Sequence, residues 1–309
     1  MIDSEFHGFG SGPGKVDWLR PGSLVEAARM AGEPGSAIVA GGCEIARGLR
    51  FGGVKFARLI ALSDVDDVDR LVAHPKTGLS IGPLVRLDAI ANHLWIAKRW
   101  AALHEAVEQV LPPQIRHTAT VIGNLCCGRP DYDLMPALMA LGAAARAVSP
   151  SGDDIRCNLD ELYDGSGKFM LPRGTIVREI FVRPPSPDAG SAFRKIMVTD
   201  TPLSAAAYVG LNADASSIEQ ATLVLGGCLP APVHISVAES SLRGAPARTA
   251  SYEQAGRLAA DGLRTSGVRL ANLELWVRLA AVLARDTLEQ AASRARSKHN
   301  PFDDAQSML

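Results

Sequence analysis

Apolar and polar positions alternate with two different periods along this chain, and the changes between them mark its elements. In PGSLVEAARMAGEPG, Leu24, Ala27, Ala28 and Ala31 fall on one helical face, Ser23 stands in N-cap position with Glu26 three residues on, and Gly32, Pro34 and Gly35 stop the helix. The apolar run at 37–40 reads as a short buried strand that enters Gly41-Gly42, with a suggestion of helix after it. Strands are predicted at 58–63 and 79–84, a helix over about 87–93 and another over about 98–110. The segment 112–124 reads as a loop ending in a second glycine turn, followed by a helix over 133–143, a strand at 145–150 and a strand at 175–185 closed by two prolines. PPSPDAG (184–190) is the best linker, and beyond it come strands at 191–198, 204–211 and 221–226. Helices follow at about 236–242, 252–263 and 270–295, the last carrying a stripe of Leu273, Leu275, Val277, Leu279, Val282 and Leu283.

This order lacks regular βαβα alternation and predicts an α+β protein of two domains. We expect a flexible tail over 1–14, a first domain over 15–185, a smaller one over 186–295 and a second tail over 296–309. No internal repeat stands out. Of the 309 residues 47% are apolar and only 5% aromatic, so the cores should be built from small aliphatic side chains. Thirty-two basic against 33 acidic residues leave a net charge of −1, with no footprint for nucleic acid or an anionic membrane. No apolar run reaches the ~18 residues of a membrane span, and no basic and apolar leader opens the chain. Five scattered cysteines (Cys43, Cys126, Cys127, Cys157, Cys228) fit a reducing cytoplasm better than a disulfide framework. CxxC, CxxxC, HExxH and GxSxG spacings are all absent.

The chemistry concentrates in two glycine turns, VAGGCEIARG (39–48) and TVIGNLCCGRPDYDL (120–134). Glycine lets backbone approach a ligand and line up N–H groups for phosphate, although a lone Gly-Gly pair is more often just a tight turn. Two such turns, each after a strand-like run, favour a diphosphate cradle. GFGSGPG (8–14) has no strand before it and is broken by Pro13, so it is not a dinucleotide fingerprint. Asp133 reads as a ribose contact, as a helix N-cap, or as both. Arg116 and His117 read as phosphate or cofactor contacts or as a solvated pair. Cys126 and Cys127 read as small buried thiols ahead of redox ligands.

At these residues the chain resembles the FAD-binding medium subunits of molybdenum hydroxylases, the xanthine dehydrogenase and carbon monoxide dehydrogenase flavoprotein family. The match lies in PGSLVEAA (21–28), AGGCEI (40–45), IRHTATVIGNL (115–125), YDLMPALMALGA (132–143), SAFRK (191–195), VLGGCLPAPVH (224–234) and SSLRG (240–244), in family order over roughly 18–290. The resemblance implies a two-part FAD-binding domain of the vanillyl-alcohol-oxidase (PCMH) type followed by a smaller α+β flavoprotein C-terminal domain. It implies FAD contacts from Ala40, Gly41, Gly42, Cys43, Glu44, Ile45, Thr120, Ile122, Gly123, Asn124, Asp133, Val177 and Lys195. It further implies a [2Fe-2S] small subunit and a molybdopterin-containing large subunit as partners in a dimer of heterotrimers, with electrons entering from the clusters and leaving to an external acceptor. Three positions depart from the family pattern: Ile122 replaces a glycine, Cys43 replaces a hydroxyl or polar residue, and Val198-Thr199-Asp200 replaces a basic pair. These departures leave open a scaffold subunit of the same fold that holds FAD weakly or not at all.

Overall fold

The computed structural model describes residues 16–51 and 56–297. The chain opens with a parallel sheet. Strand β1 (Asp17–Leu19), helix α1 (Leu24–Gly32), strand β2 (Ser36–Val39), helix α2 (Cys43–Phe51) and strand β3 (Arg58–Ala61) give a three-stranded order β1-β3-β2. Helix α1 starts where its cap predicts: Glu26 N donates to Ser23 Oγ at 3.2 Å, and the Glu26 carboxylate accepts from Gly22 N at 2.8 Å. Ala27 and Ala28 are buried with Ile60 and Leu62.

The second sheet is antiparallel. Strands β4 (Leu71–His74) and β5 (Gly78–Ile81) form a hairpin, a run of helices intervenes, and strands β6 (Ala144–Val148), β7 (Asp154–Asn158) and β8 (Ile176–Val182) complete the order β4-β5-β8-β6-β7. The intervening helices are α3 (Leu87–Ala91), α4 (Leu94–Arg99), α5 (Ala101–Glu108), α6 (Pro113–Arg116), α7 (Val121–Cys126) and α8 (Leu134–Ala140). They cover the sheet around Leu79, Ile81, Trp100, Leu103, Leu134, Leu138 and Ile180, all in one core. The single helix predicted over about 98–110 is divided at Trp100, whose backbone leaves the helical region (φ −124, ψ 52). That departure buries the indole and lets its Nε1 donate to Arg183 O at 3.2 Å. The segment 112–124, read as a loop, instead holds α6 and the first turns of α7.

Residues 183–188 carry no strand or helix and lead to the third sheet, β12-β11-β10-β9, all antiparallel. Its strands are β9 (Ala189–Val198), β10 (Thr201–Leu211), β11 (Ile218–Gly226) and β12 (Val233–His234), followed by α9 (Ser236–Leu242), α10 (Thr249–Thr265) and α11 (Leu273–Ser297). Both faces of this sheet are covered, so β10 is buried almost from end to end. Ala205, Ala207 and Val209 face α10 and α11 in an alanine-rich core, while Ala206, with Phe193 and Val224, joins the core of the first domain. The tail expected over 1–14 lies outside the described residues, and α11 extends through Ser297 before the rest of the second expected tail leaves them.

Candidate functional site

The two glycine segments meet. Gly41, in the middle of the β2–α2 connection, sits so close to the 118–119 backbone that a Cβ there would lie 2.0 Å from Thr118 O and 3.0 Å from Ala119 Cα. Gly42 adopts φ +74, a left-handed conformation natural to glycine, and its carbonyl accepts the first bond of α2 from Ala46 N at 2.9 Å. The N–H groups of Cys43, Glu44 and Ile45 therefore precede the helical ladder and have no partner within α2. On the other side, residues 118–121 are zipped to the segment before α3: Leu87 N donates to Ala119 O at 3.0 Å and Val121 N to Val85 O at 3.0 Å. Between these walls runs a cleft of about 450 Å3, lined by Ala40, Gly41, Arg86, Asp88, Thr118 and Thr120 among others.

The second segment is not an open turn but the capped start of α7. Thr120 is buried and its Oγ1 accepts from Gly123 N at 3.1 Å, while Asn124 N donates to Thr120 O at 2.9 Å. Both amides are thus engaged, and what remains is the Asn124 Oδ1, buried and without a hydrogen-bond partner among the described residues. Ile122, the branched residue in place of glycine, is 6% exposed and packed into the first-domain core rather than lying across the cleft. Cys43 is half-buried, its thiol donating to Thr118 Oγ1 at 3.4 Å, so it tethers the two segments.

Charged groups gather beside the start of α2. The Glu44 carboxylate accepts from Arg47 Nε at 3.0 Å and from the Tyr132 hydroxyl at 2.7 Å, and it pairs with the Arg47 guanidinium as well. The Arg129 guanidinium lies 5.4 Å from the Tyr132 ring centroid and bonds Asp131 at 2.9 Å. Arg47 holds the Glu44 carboxyl below its ordinary range, more than burial raises it, and Tyr132 adds to the lowering. Burial, with the hydrogen bond to Glu44, raises the Tyr132 phenol. Local pattern gave no signal for this group, because Tyr132 and Glu44 stand 88 residues apart in sequence.

The remaining expectations sort differently. Asp133 does not cap α8: its side chain makes no cap bond, and its Oδ2 instead accepts from Lys195 Nζ of β9 at 2.7 Å, with 6% and 15% of the two side chains exposed. Burial raises the Asp133 carboxyl and Lys195 opposes that. Val177 is buried in β8, paired with Ala147. Arg116 neither points to the cleft nor floats in solvent, since it donates at 3.0 Å to the carbonyl of Glu108, the last residue of α5. His117 is exposed and bonds Asp88 Oδ2 at 3.0 Å. Contrary to the buried-pair reading, Cys126 is exposed and Cys127 half-buried. The Cys127 thiol is pushed up to about 12, chiefly by burial and then by Glu44, and donates to Gly123 O at 2.8 Å. Among the described residues no cluster of three His, Cys, Asp or Glu side chains converges as for a metal, and no helix is long and apolar enough to cross a membrane.

Comparison with known proteins adds the chemistry. A family model described as the FAD binding domain in molybdopterin dehydrogenase matches residues 14–185, and one described as the CO dehydrogenase flavoprotein C-terminal domain matches residues 194–291. The carbon monoxide dehydrogenase medium chain of Afipia carboxidovorans is 26% identical over 290 residues, which span 92% of this chain and 99% of that one. The xanthine dehydrogenase FAD-binding subunit of Escherichia coli O157:H7 is 22% identical over 290 residues, 92% of this chain and 98% of that one. Among solved structures, Cu,Mo-CO dehydrogenase in its cyanide-inactivated form has a TM-score of 0.81 at 21% identity, covering 92% of this chain and 100% of that one. Quinoline 2-oxidoreductase from Pseudomonas putida 86 gives 0.80 at 20% identity, with 91% and 98% covered. These likenesses fix the fold, and the family model fixes the cofactor class. The chain belongs to the molybdopterin-dehydrogenase flavoproteins: it is an oxidoreductase subunit with an FAD-binding domain followed by the flavoprotein C-terminal domain.

Proposed function

We propose that this chain holds FAD between its two glycine segments and relays electrons from the iron–sulfur clusters of a partner subunit to an external acceptor. The observation that carries the reading is the start of α2. There the amides of Cys43, Glu44 and Ile45 precede the first helical hydrogen bond, after Gly42 at φ +74 and beside a cleft of about 450 Å3. A helix N-terminus with free amides suits a diphosphate, both by hydrogen bonding and by the helix dipole. The residues fit FAD on this count: Ala40, Gly41, Gly42, Cys43, Glu44 and Ile45 supply the donor wall. Thr120 supplies the opposite wall with Gly123 and Asn124 just behind it, where the Asn124 side chain has an acceptor to offer and the backbone N–H groups do not. Ile122 backs this wall from the first-domain core. Asp133 and Lys195 join the site at the junction of the domains, and Val177 lies in the core of the first domain. Bound FAD supplies the exchange between one-electron and two-electron transfer that no side chain here performs.

Residues 15–185 form the FAD-binding domain in this reading and 186–295 the C-terminal one. In this reading electrons enter from the iron–sulfur clusters of the partner subunit. The names of the relatives, a medium chain and an FAD-binding subunit, support assembly with further subunits. In this reading the partners are a [2Fe-2S] small subunit and a molybdopterin-containing large subunit, in a dimer of heterotrimers in the cytoplasm. Stable contacts of that kind bury at least ~1,200 Å2 in total. The test is Gly42→Val in the complex purified from its host. Flavin absorbance near 450 nm should disappear while the subunits still co-purify. Stoichiometric FAD in that variant, or a parent chain that elutes alone and oxidises substrate unaided, would refute the reading.

A further inference from the structure

Helix α2 carries an apparent contradiction. Its first turn offers unpaired amides beside the cleft, yet the second residue of the helix is Glu44, an acid on the same turn. A free carboxylate there has two harmful options. It can swing back and accept from the exposed amides, or it can stand by them as a negative charge that repels an incoming diphosphate. Glu44 does neither. Its Oε1 accepts from Arg47 Nε at 3.0 Å, and its Oε2 accepts from Arg47 Nε at 3.1 Å and from the Tyr132 hydroxyl at 2.7 Å. Arg47 is one turn along the same helix and neutralises the charge, but it moves with α2, so the bond that ties the carboxylate to another segment is the one from Tyr132. Tyr132 belongs to the segment ahead of α8, and its ring is steadied by Arg129 at 5.4 Å from the centroid.

We propose that Tyr132 is a positioning residue for the cofactor: by seizing one oxygen of Glu44 it draws that carboxylate off the amides of α2 and leaves them open to the FAD diphosphate. The inference rests on the reading of this site as the flavin cradle. The phenol, raised by burial, stays protonated and donates, while the Glu44 carboxyl, held down mainly by Arg47, stays ionised and accepts. The bond thus runs from the phenol to the carboxylate at neutral pH. The two partners also explain why an acid is tolerated at all in a turn meant for an anion.

The prediction has a sign that a merely structural tie would not give. In the deflavinated complex, titrated with FAD and followed by flavin fluorescence, Tyr132→Phe should raise Kd about tenfold, the loss of one charge-assisted hydrogen bond. The ring and its stacking on Arg129 remain, so circular dichroism and melting temperature should stay close to the parent's. Adding Glu44→Gln to Tyr132→Phe should restore most of the lost affinity, because the competing charge is gone. In Tyr132→Phe alone, where Arg47 still holds the Glu44 carboxyl down, affinity should improve only as pH falls below the ordinary carboxylate range. A Tyr132→Phe variant that binds FAD like the parent overturns the proposal. So does a double variant as weak as Tyr132→Phe or weaker, since Tyr132 would then act by tying the segments together. If Gly42→Val retains FAD, the cradle reading itself fails. If Gly42→Val loses FAD while Tyr132→Phe keeps it, only the role of Tyr132 falls.

Discussion

Gly41 and Gly42 stand side by side and are glycine for different reasons. At Gly41 the reason is space: a Cβ would lie 2.0 Å from Thr118 O and 2.8 Å from its carbonyl carbon, both backbone atoms that cannot turn aside. At Gly42 the reason is conformation, because φ is +74 while the nearest atom a Cβ would meet, Val39 Cγ1, is 4.0 Å away. Gly41→Ala must push the two segments apart and should cost about 3 kcal/mol, at the upper end for overpacking. Gly42→Ala should cost about 1 kcal/mol, the ordinary penalty of a left-handed residue. Denaturant unfolding of the two variants measures the difference, and equal losses would mean that the close approach at Thr118 is not tight in solution. Ile122 is the opposite case at the same scale. Its position marks it as an obstacle, yet its side chain is spent in the core, so the departure from the glycine pattern does not narrow the cleft.

Elements were legible in the sequence where their cause is local. Helix α1 begins at a Ser-x-x-Glu box that sequence shows and the hydrogen bonds realise, and α9 spans the same 236–242 that periodicity predicts. Strands β9, β10 and β11 were visible as apolar runs, because a sheet covered on both faces needs no alternation. Elements whose cause is distant were not. The break between α4 and α5 depends on Arg183 O receiving the Trp100 indole, and α6 and α7 hide in a stretch of proline, threonine and glycine that locally signals a loop. The short strands β1, β4, β7 and β12 are partly or wholly exposed and too brief to show a period. For the site, the two glycine segments could be read, whereas the roles of Asp133, Tyr132 and Arg116 could not, since each is set by a partner on another element. The tie between α8 and β9 gives a test at this scale. Replacing Asp133 by Asn, or Lys195 by Met, removes one half of a nearly buried pair and should cost about 3 kcal/mol each. Asp133→Leu combined with Lys195→Met leaves no orphan charge and should cost less than either single change. Additive losses in a double-mutant cycle would show that the two side chains do not depend on each other.

At the scale of the whole molecule, the two domains are joined by one continuous apolar contact and, among the described residues, by three charged ties besides the hydrogen bond from Ala102 N to Ser191 Oγ. Phe193, Ala206 and Val224 of the third sheet sit in the first-domain core. Around them lie Asp133 with Lys195, then Glu105 with Arg294, Gln290 and the Phe193 N–H, and finally Asp160 with His234. A junction of this kind should unfold with its domains as one cooperative unit and not as a hinge. The third tie carries a proton. His234 Nε2 lies 3.3 Å from Asp160 Oδ1 across the junction, and Nδ1 lies 2.9 Å from Glu239 Oε1, which also accepts from Leu223 N at 2.9 Å. Hydrogen bonds to Asp160 and to Glu239 raise the imidazole from 6.5 to about 9. With both ring nitrogens facing carboxylates, the ring is held as imidazolium at neutral pH. The folded chain then binds a proton that the unfolded chain has released between these two values, so stability must fall as pH rises across that window. The contribution is complete below about 6.5 and gone once pH passes about 9. Asp160 is 53% exposed and its share is screened, while the Glu239 arm, 18% exposed, carries more of the effect. Thermal melts of the parent and of His234→Gln should therefore differ most near pH 6, converge as pH rises, and coincide near pH 10. Two curves that run parallel over that whole range would show that His234 is neutral in the folded chain and that the junction holds without its charge.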